Sequence, residues 1–90
     1  MNEYMTDIDG DTLAQWLQTA VLTVSFDKVN GDRRDMTCTL DRRYLPSDQQ
    51  ADAVIAKPTK ASLAVWDLNA NGWRSFRLDR IINIQEVSYP

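Results

Sequence analysis

Residues 73–81 of this chain read Trp-Arg-Ser-Phe-Arg-Leu-Asp-Arg-Ile, and this stretch decides the fold. Its first six residues form the return strand of a hairpin, because an apolar run precedes them across the turn sequence Asn-Ala-Asn-Gly. Asp79 and Arg80 then mark a tight break before another alternating segment. The pattern therefore predicts three consecutive antiparallel strands, over residues 62–68, 73–78 and 81–87.

Another hairpin lies earlier in the chain. From Val21 onward apolar and polar residues alternate, which is typical of a half-buried strand. Residues 29–32, Val-Asn-Gly-Asp, predict a type I′ turn because asparagine and glycine tolerate positive φ angles. The return strand is predicted over residues 33–40. In that strand we expect Met36, Cys38 and Leu40 to be buried, and Thr37 and Thr39 to be exposed.

The remaining segments complete the predicted architecture. Asp9 or Asp11 can cap a helix over residues 11–20, whose apolar residues recur at helical spacing. Residues 1–8 are predicted to be an acidic, flexible lead-in. Residues 41–61 are predicted to be a long mobile loop with a short helical turn. This order predicts a mainly β fold: a small five-stranded antiparallel barrel of the SH3 or Sm type, preceded by one short helix, in a single domain spanning 9–90.

Composition excludes several classes of function. The 90 residues include no histidine and a single cysteine, Cys38. This removes the commonest general base and transition-metal ligand, and it excludes a disulfide within the chain. The net charge is −3, and residues 1–11 hold four acids and no base, so the rest of the chain is close to neutral. We therefore expect no enzymatic activity, no catalytic residues, no cofactor, no metal site and no membrane segment.

Several blocks resemble the small bacteriophage WYL-like proteins, a family with an Sm-like SH3 β-barrel fold. The blocks are residues 26–33, Phe-Asp-Lys-Val-Asn-Gly-Asp-Arg; 36–40, Met-Thr-Cys-Thr-Leu; 65–68, Val-Trp-Asp-Leu; and 73–77, Trp-Arg-Ser-Phe-Arg. The resemblance spans about residues 21–84. It implies a phage origin and action in the cytoplasm of an infected host bacterium.

The segment 74–81 also resembles the end of larger bacterial WYL domains, which are regulatory ligand-sensing modules with nucleic-acid or nucleotide ligands proposed for some. That resemblance implies binding roles for Arg74, Arg77 and Arg80. Residues 61–63, Ala-Ser-Leu, stand where those domains carry a Trp-Tyr-Leu triplet.

The candidate binding residues are Arg74, Arg77 and Arg80, with Trp66 and Trp73 beside them. Guanidinium groups suit phosphate or carboxylate, and exposed indole rings suit stacking on bases or gripping a protein. Arg74 and Arg77 point to opposite faces of an extended strand, so a shared site needs the barrel rim. The structural alternative is that Asp67 or Asp79 pairs with one arginine and that the tryptophans pack. Four other arginines, Arg33, Arg34, Arg42 and Arg43, are interpreted as solvated residues at the two ends of one strand.

Three functions are consistent with these features. The leading hypothesis is a non-enzymatic phage accessory protein that binds and modulates a host macromolecule, most simply a host bacterial protein. The first alternative is a nucleic-acid or nucleotide-binding barrel that uses the arginine and tryptophan residues. The second alternative is a self-associating structural module, in effect a homo-oligomer.

Overall fold

The computed structural model describes residues 3–4, 8–55, 58–59 and 61–89. Helix α1 spans Gly10–Leu17, and Asp9 is its N-cap, since the Asp9 carboxylate accepts a hydrogen bond from the Thr12 amide at 2.7 Å. Leu13, Ala14 and Leu17 form its buried face. The helix is thus shorter than predicted, and the first of the two candidate caps is the one used.

The strands form one antiparallel sheet. They are β1 (Glu3–Tyr4), β2 (Val21–Asp27), β3 (Arg33–Thr39), β4 (Ser62–Asp67), β5 (Gly72–Arg77) and β6 (Ile81–Val87), in the order β1-β6-β2-β3-β4-β5. The five predicted strands are confirmed, with the short helix before them. The two-residue β1 is an addition that the prediction of a flexible lead-in did not include. Residues 1, 2 and 5–7 of that lead-in lie outside the described residues.

The sheet curls because its distant strands are joined by short connections. Strands β5 and β6 are separated in the sheet order by three strands, yet the single 3₁₀ turn Leu78–Arg80 connects them. The rings of Phe26 on β2 and Phe76 on β5 also approach to 5.6 Å between centroids. This brings the two ends of the sheet together and gives the predicted barrel-like form.

Pairing between β3 and β4 is short. Only two residue pairs register, Cys38 with Asp67 and Thr39 with Trp66, whereas β2 and β3 register over seven pairs. The Leu68 amide, just after β4, donates to the Thr37 carbonyl at 3.0 Å, and the β2–β3 hairpin extends past the end of β4 from there. This extension leaves a concavity at one end of the barrel.

The first hairpin is confirmed, but its turn is not type I′. The Gly31 amide donates to the Lys28 carbonyl at 2.9 Å, and the positive φ in this turn belongs to Gly31, at 90°. Asn30 instead uses its side-chain oxygen to accept from the Asp32 amide. The asparagine serves as a local acceptor rather than as a left-handed residue.

The prediction that Thr39 is exposed is wrong. Thr39 is fully buried, and its hydroxyl lies 3.2 Å from the Leu17 carbonyl and 2.8 Å from the Ala20 carbonyl, while it accepts from the Asp41 amide. It ties the end of α1 to the end of β3. Helix α1 covers the face that strand alternation alone assigns to solvent.

The predicted loop over 41–61 contains more regular structure than expected. It holds 3₁₀ turns at Arg42–Tyr44 and Ser47–Gln49 and a short helix α2, Gln50–Ile55. Leu45 and Ala53 are buried in the core. Residues 56, 57 and 60 of this segment lie outside the described part of the chain. Within the described ranges no helix has the length and apolar character needed to cross a membrane.

Candidate functional site

The open end of the barrel forms a groove of about 600 Å³ between β5 and the tip of the β2–β3 hairpin. We call this concavity the arginine groove. Its floor is apolar and its rim is basic. The basic side chains that line it are Lys28, Arg34, Arg74, Arg77 and Arg80.

All three predicted arginines line this groove, and the structure explains how they share it. Arg74, Ser75, Phe76 and Arg77 are consecutive on β5, and all four border the concavity. Successive side chains of a strand point to opposite faces, so a common lining of four residues means that the groove runs along the strand's edge. Arg80 joins them from the 3₁₀ turn that follows.

Arg34, which is predicted to be solvated, lines the groove. Its guanidinium Nη2 lies 3.3 Å from Asp67 Oδ2, and the side chains are 40% and 2% exposed respectively. Asp67 Oδ1 also accepts from the amides of Asn69 and Ala70, at 2.9 and 3.1 Å. The buried carboxylate thus shapes the β4–β5 turn and holds Arg34 at the groove. Only the cross-strand register, Phe26 opposite Arg34, shows that Arg34 faces the barrel interior.

Arg77 is fixed by Asp79, as the structural alternative predicted. Two parallel hydrogen bonds of 3.1 Å join the guanidinium to the carboxylate. These bonds lower the pKa of Asp79, chiefly through the hydrogen bond from Arg77 and also through the nearby positive charges. Both side chains remain more than half exposed, so this pair orients Arg77 without removing it from solvent.

Arg74, Arg80 and Lys28 form no ion pair with any acid in the described ranges. Asp27 is the acidic side chain in the groove lining. Asp67 and Asp79 pair with two of the five basic side chains, so even with Asp27 the groove keeps an excess of positive charge. Such a rim favours an anionic ligand.

The floor of the groove consists of Phe26, Met36 and Phe76, which are 7%, 3% and 3% exposed. Val24 registers opposite Met36, and both strands turn these residues toward the interior. The floor is thus the end of the hydrophobic core. It offers little open ring surface to a ligand.

Trp66 and Trp73 lie apart from the groove. They are cross-strand partners with ring centroids 5.6 Å apart in an edge-to-face arrangement, as their flanking of the turn predicted. Trp66 is 5% exposed, and the Trp73 indole donates to the Gln49 side chain at 2.7 Å. The pair covers the opposite face of the β4–β5 hairpin and packs against the 3₁₀ turn Ser47–Gln49. Neither ring contributes to the arginine groove.

A second concavity lies at the other basic cluster, lined by Gln18, Thr19, Asp41, Arg42, Arg43 and Gln50. Arg43 grips the buried Asp41 carboxylate through Nε and Nη2, at 2.6–3.1 Å. The hydrogen bonds from the Arg43 side chain are the largest influence on the pKa of Asp41, and they lower it. The pair therefore stabilises the 3₁₀ turn Arg42–Tyr44 that follows β3.

Among the described residues, no group of three or more metal-ligating side chains comes together. Cys38 is fully buried, and burial raises the pKa of its thiol far above the usual range. Guanidinium groups around an apolar floor bind and orient anions, and that is the chemistry this site offers.

A comparison with known protein families gives one match, a family described as WYL_2, Sm-like SH3 beta-barrel fold, over residues 11–82. Searches of curated proteins and of solved structures give no match. The matched range includes α1 from its second residue, strands β2 to β5 and the first two residues of β6. It therefore covers every basic residue of the arginine groove.

Proposed function

The chain belongs to the WYL_2 family of Sm-like SH3 β-barrels, and from this footing we propose that it is a non-enzymatic binding module whose arginine groove captures an acidic segment of another macromolecule. The observation that carries this proposal is the convergence of five basic side chains on one groove with an apolar floor. Two of the five are oriented by carboxylates, and the others are open to an incoming anion.

The partner we propose is a host protein. A phage origin and action in the host cytoplasm belong to the same proposal, and they rest on the sequence resemblance. Binding through a few well-oriented arginines over an apolar centre is how protein interfaces concentrate their affinity. The partner's acidic groups would meet the rim, and an apolar side chain would cover the floor.

The second candidate is a nucleic acid or nucleotide, because an arginine fork also fits phosphate. Two observations favour protein. Single-stranded nucleic acids usually stack on open aromatic rings, whereas Phe26, Phe76 and Trp66 are each at least nine-tenths buried. The net charge of −3 also differs from the basic footprint of a general nucleic-acid binder.

The test is capture of partners from a bacterial lysate by the immobilised full chain and by two variants of equal charge. Arg74→Ala with Arg80→Ala removes two groove cations, and Arg33→Ala with Arg42→Ala removes two cations outside the groove lining. We expect the groove variant to lose the proteins that the wild type retains at low salt, and the matched control to keep them. Equal retention by both variants would refute a groove-based function. Loss of all retained material after nuclease treatment would favour the nucleic-acid candidate.

A further inference from the structure

The outer edge of β5 borders the arginine groove. In the sheet order β5 is the terminal strand, and among the described residues its strand partner is β4 alone. The groove is lined by four consecutive β5 residues and, across from them, by residues of the β2–β3 hairpin, whereas β4 contributes Ser62. The groove therefore follows a row of backbone groups on the side away from β4.

The register identifies those backbone groups. Leu78 donates its amide to the Ala61 carbonyl at 2.8 Å, so the Leu78 backbone is directed toward the β4 side of the hairpin. Along antiparallel strands, residues with this orientation alternate with residues that direct their amides and carbonyls outward. Phe76 and Arg74 thus face β4 with their backbone groups, whereas Ser75 and Arg77 direct theirs toward the groove.

We propose that the arginine groove binds an extended acidic segment of a protein partner as an added β-strand, hydrogen-bonded to the β5 backbone at Ser75 and Arg77. This inference rests on the proposed function and specifies its mode of recognition. Strand addition at an exposed edge draws affinity from the main chain and specificity from alternating side chains. Here the edge strand itself carries the cations that select the incoming segment.

The side chains of β5 define the pattern that the segment must carry. Arg74 and Phe76 lie on the interior side of the strand, and Arg77 lies on the other side. An antiparallel segment would place acids opposite Arg77 and Arg74 and an apolar residue opposite Phe76. In its own N-to-C direction the segment would read acidic, apolar, any residue, acidic. The two acids, three residues apart, would thereby pair with Arg77 and Arg74, whose side chains lie on opposite faces of β5.

The backbone contact can be tested separately from the charge contact. The probe is the peptide acetyl-Thr-Glu-Val-Thr-Asp-Thr-amide, titrated into the ¹⁵N-labelled full chain and followed by amide chemical shifts. Two further peptides carry a single N-methyl group, one on the valine and one on the threonine that follows it. These residues alternate in the direction of their amides, so N-methylation removes a donor to β5 in only one of the two.

We expect the unmodified peptide to shift the amides of Ser75 and Arg77 and to slow their hydrogen exchange. One N-methyl peptide should bind at least about tenfold more weakly, the loss that accompanies one missing hydrogen bond, while the other keeps its affinity. In the protein, Ser75→Pro should abolish binding because it removes an outward amide, whereas Ser75→Ala should bind as the wild type does. The β4 ladder does not use that amide.

Each contrary result would refute a different part of this proposal. Equal binding of the two N-methyl peptides, with binding lost in the Arg74→Ala, Arg80→Ala variant, would overturn strand addition and leave the groove function standing. Tighter binding of a dT oligonucleotide at the same amides would overturn a protein occupant. Concentration-dependent shifts of β5 amides without peptide would assign this edge to a second copy of the chain. No shift with peptide up to about 1 mM would overturn the inference outright.

Discussion

The Asp67–Arg34 pair gives the sharpest test of how the groove is built. Asp67 is 1% exposed and accepts three hydrogen bonds, two from turn amides and one from Arg34. Asp67→Ala leaves both amides without their acceptor, at about 1 kcal/mol each. It also loses a half-exposed ion pair worth about 1 kcal/mol or less. We expect a loss of about 3 kcal/mol from the free energy of unfolding, which for a domain of this size totals about 5–13 kcal/mol.

Arg34→Ala should cost far less, about 1 kcal/mol, because Asp67 keeps its two backbone donors and the guanidinium is 40% exposed. Asp67→Asn is the matched control, since its remaining carbonyl oxygen can still accept from both turn amides. Urea unfolding at an unchanged m-value measures all three variants. A cost for Arg34→Ala equal to that of Asp67→Ala would refute the view that Asp67 mainly serves the turn.

Three further predictions concern groups outside the groove. Thr39→Val preserves shape but removes the hydroxyl that links α1 to β3, so it should lower the free energy of unfolding by about 1–3 kcal/mol, measured by urea unfolding. Cys38 should not react with a thiol reagent in the native protein and should react fully in denaturant, because its thiol is buried and the pKa is raised. The pKa of Asp41 is lowered in the fold by Arg43, so its stabilising contribution is complete above the ordinary value of 3.8 and is lost as the pH falls below it. Asp41→Asn should flatten this acid dependence in thermal unfolding scans from neutral to low pH.

The strands were predictable because their signals are local. Alternation and turn residues predicted all five long strands, and the span of β6 agrees to the residue. The burial of Thr39 is not predictable from local alternation, because it depends on α1 packing over the sheet. The pattern around Thr39 is that of an exposed strand position. Only the tertiary arrangement supplies the carbonyls of Leu17 and Ala20 as partners.

The candidate site divides in the same way. Arg74, Arg77 and Arg80 were predictable because they crowd one short segment, and the need for a rim position followed from their odd spacing. Arg34 was not, because its approach to Asp67 joins residues 33 positions apart in the chain. Conversely, Trp66 and Trp73 were correctly predicted to meet across the hairpin. Their face of the hairpin follows from alternation along the strands, whereas the contact of Trp73 with Gln49 joins residues 24 positions apart and has no local signal.

The short pairing of β3 with β4 links the fold to the proposed function. Strand β4 ends at Asp67, so the β2–β3 hairpin extends past it, and the hairpin tip lines the groove together with Phe26 and Phe76. The groove floor at this end of the barrel is the nearly buried end of the core, formed by Phe26, Met36 and Phe76. Arginine suits such a rim, since its apolar stem can lie along the floor while its charge stays in solvent. Strand β5 is terminal in the sheet and borders this groove, so one end of the barrel brings together the apolar floor, the charged rim and the backbone groups that an acidic strand requires.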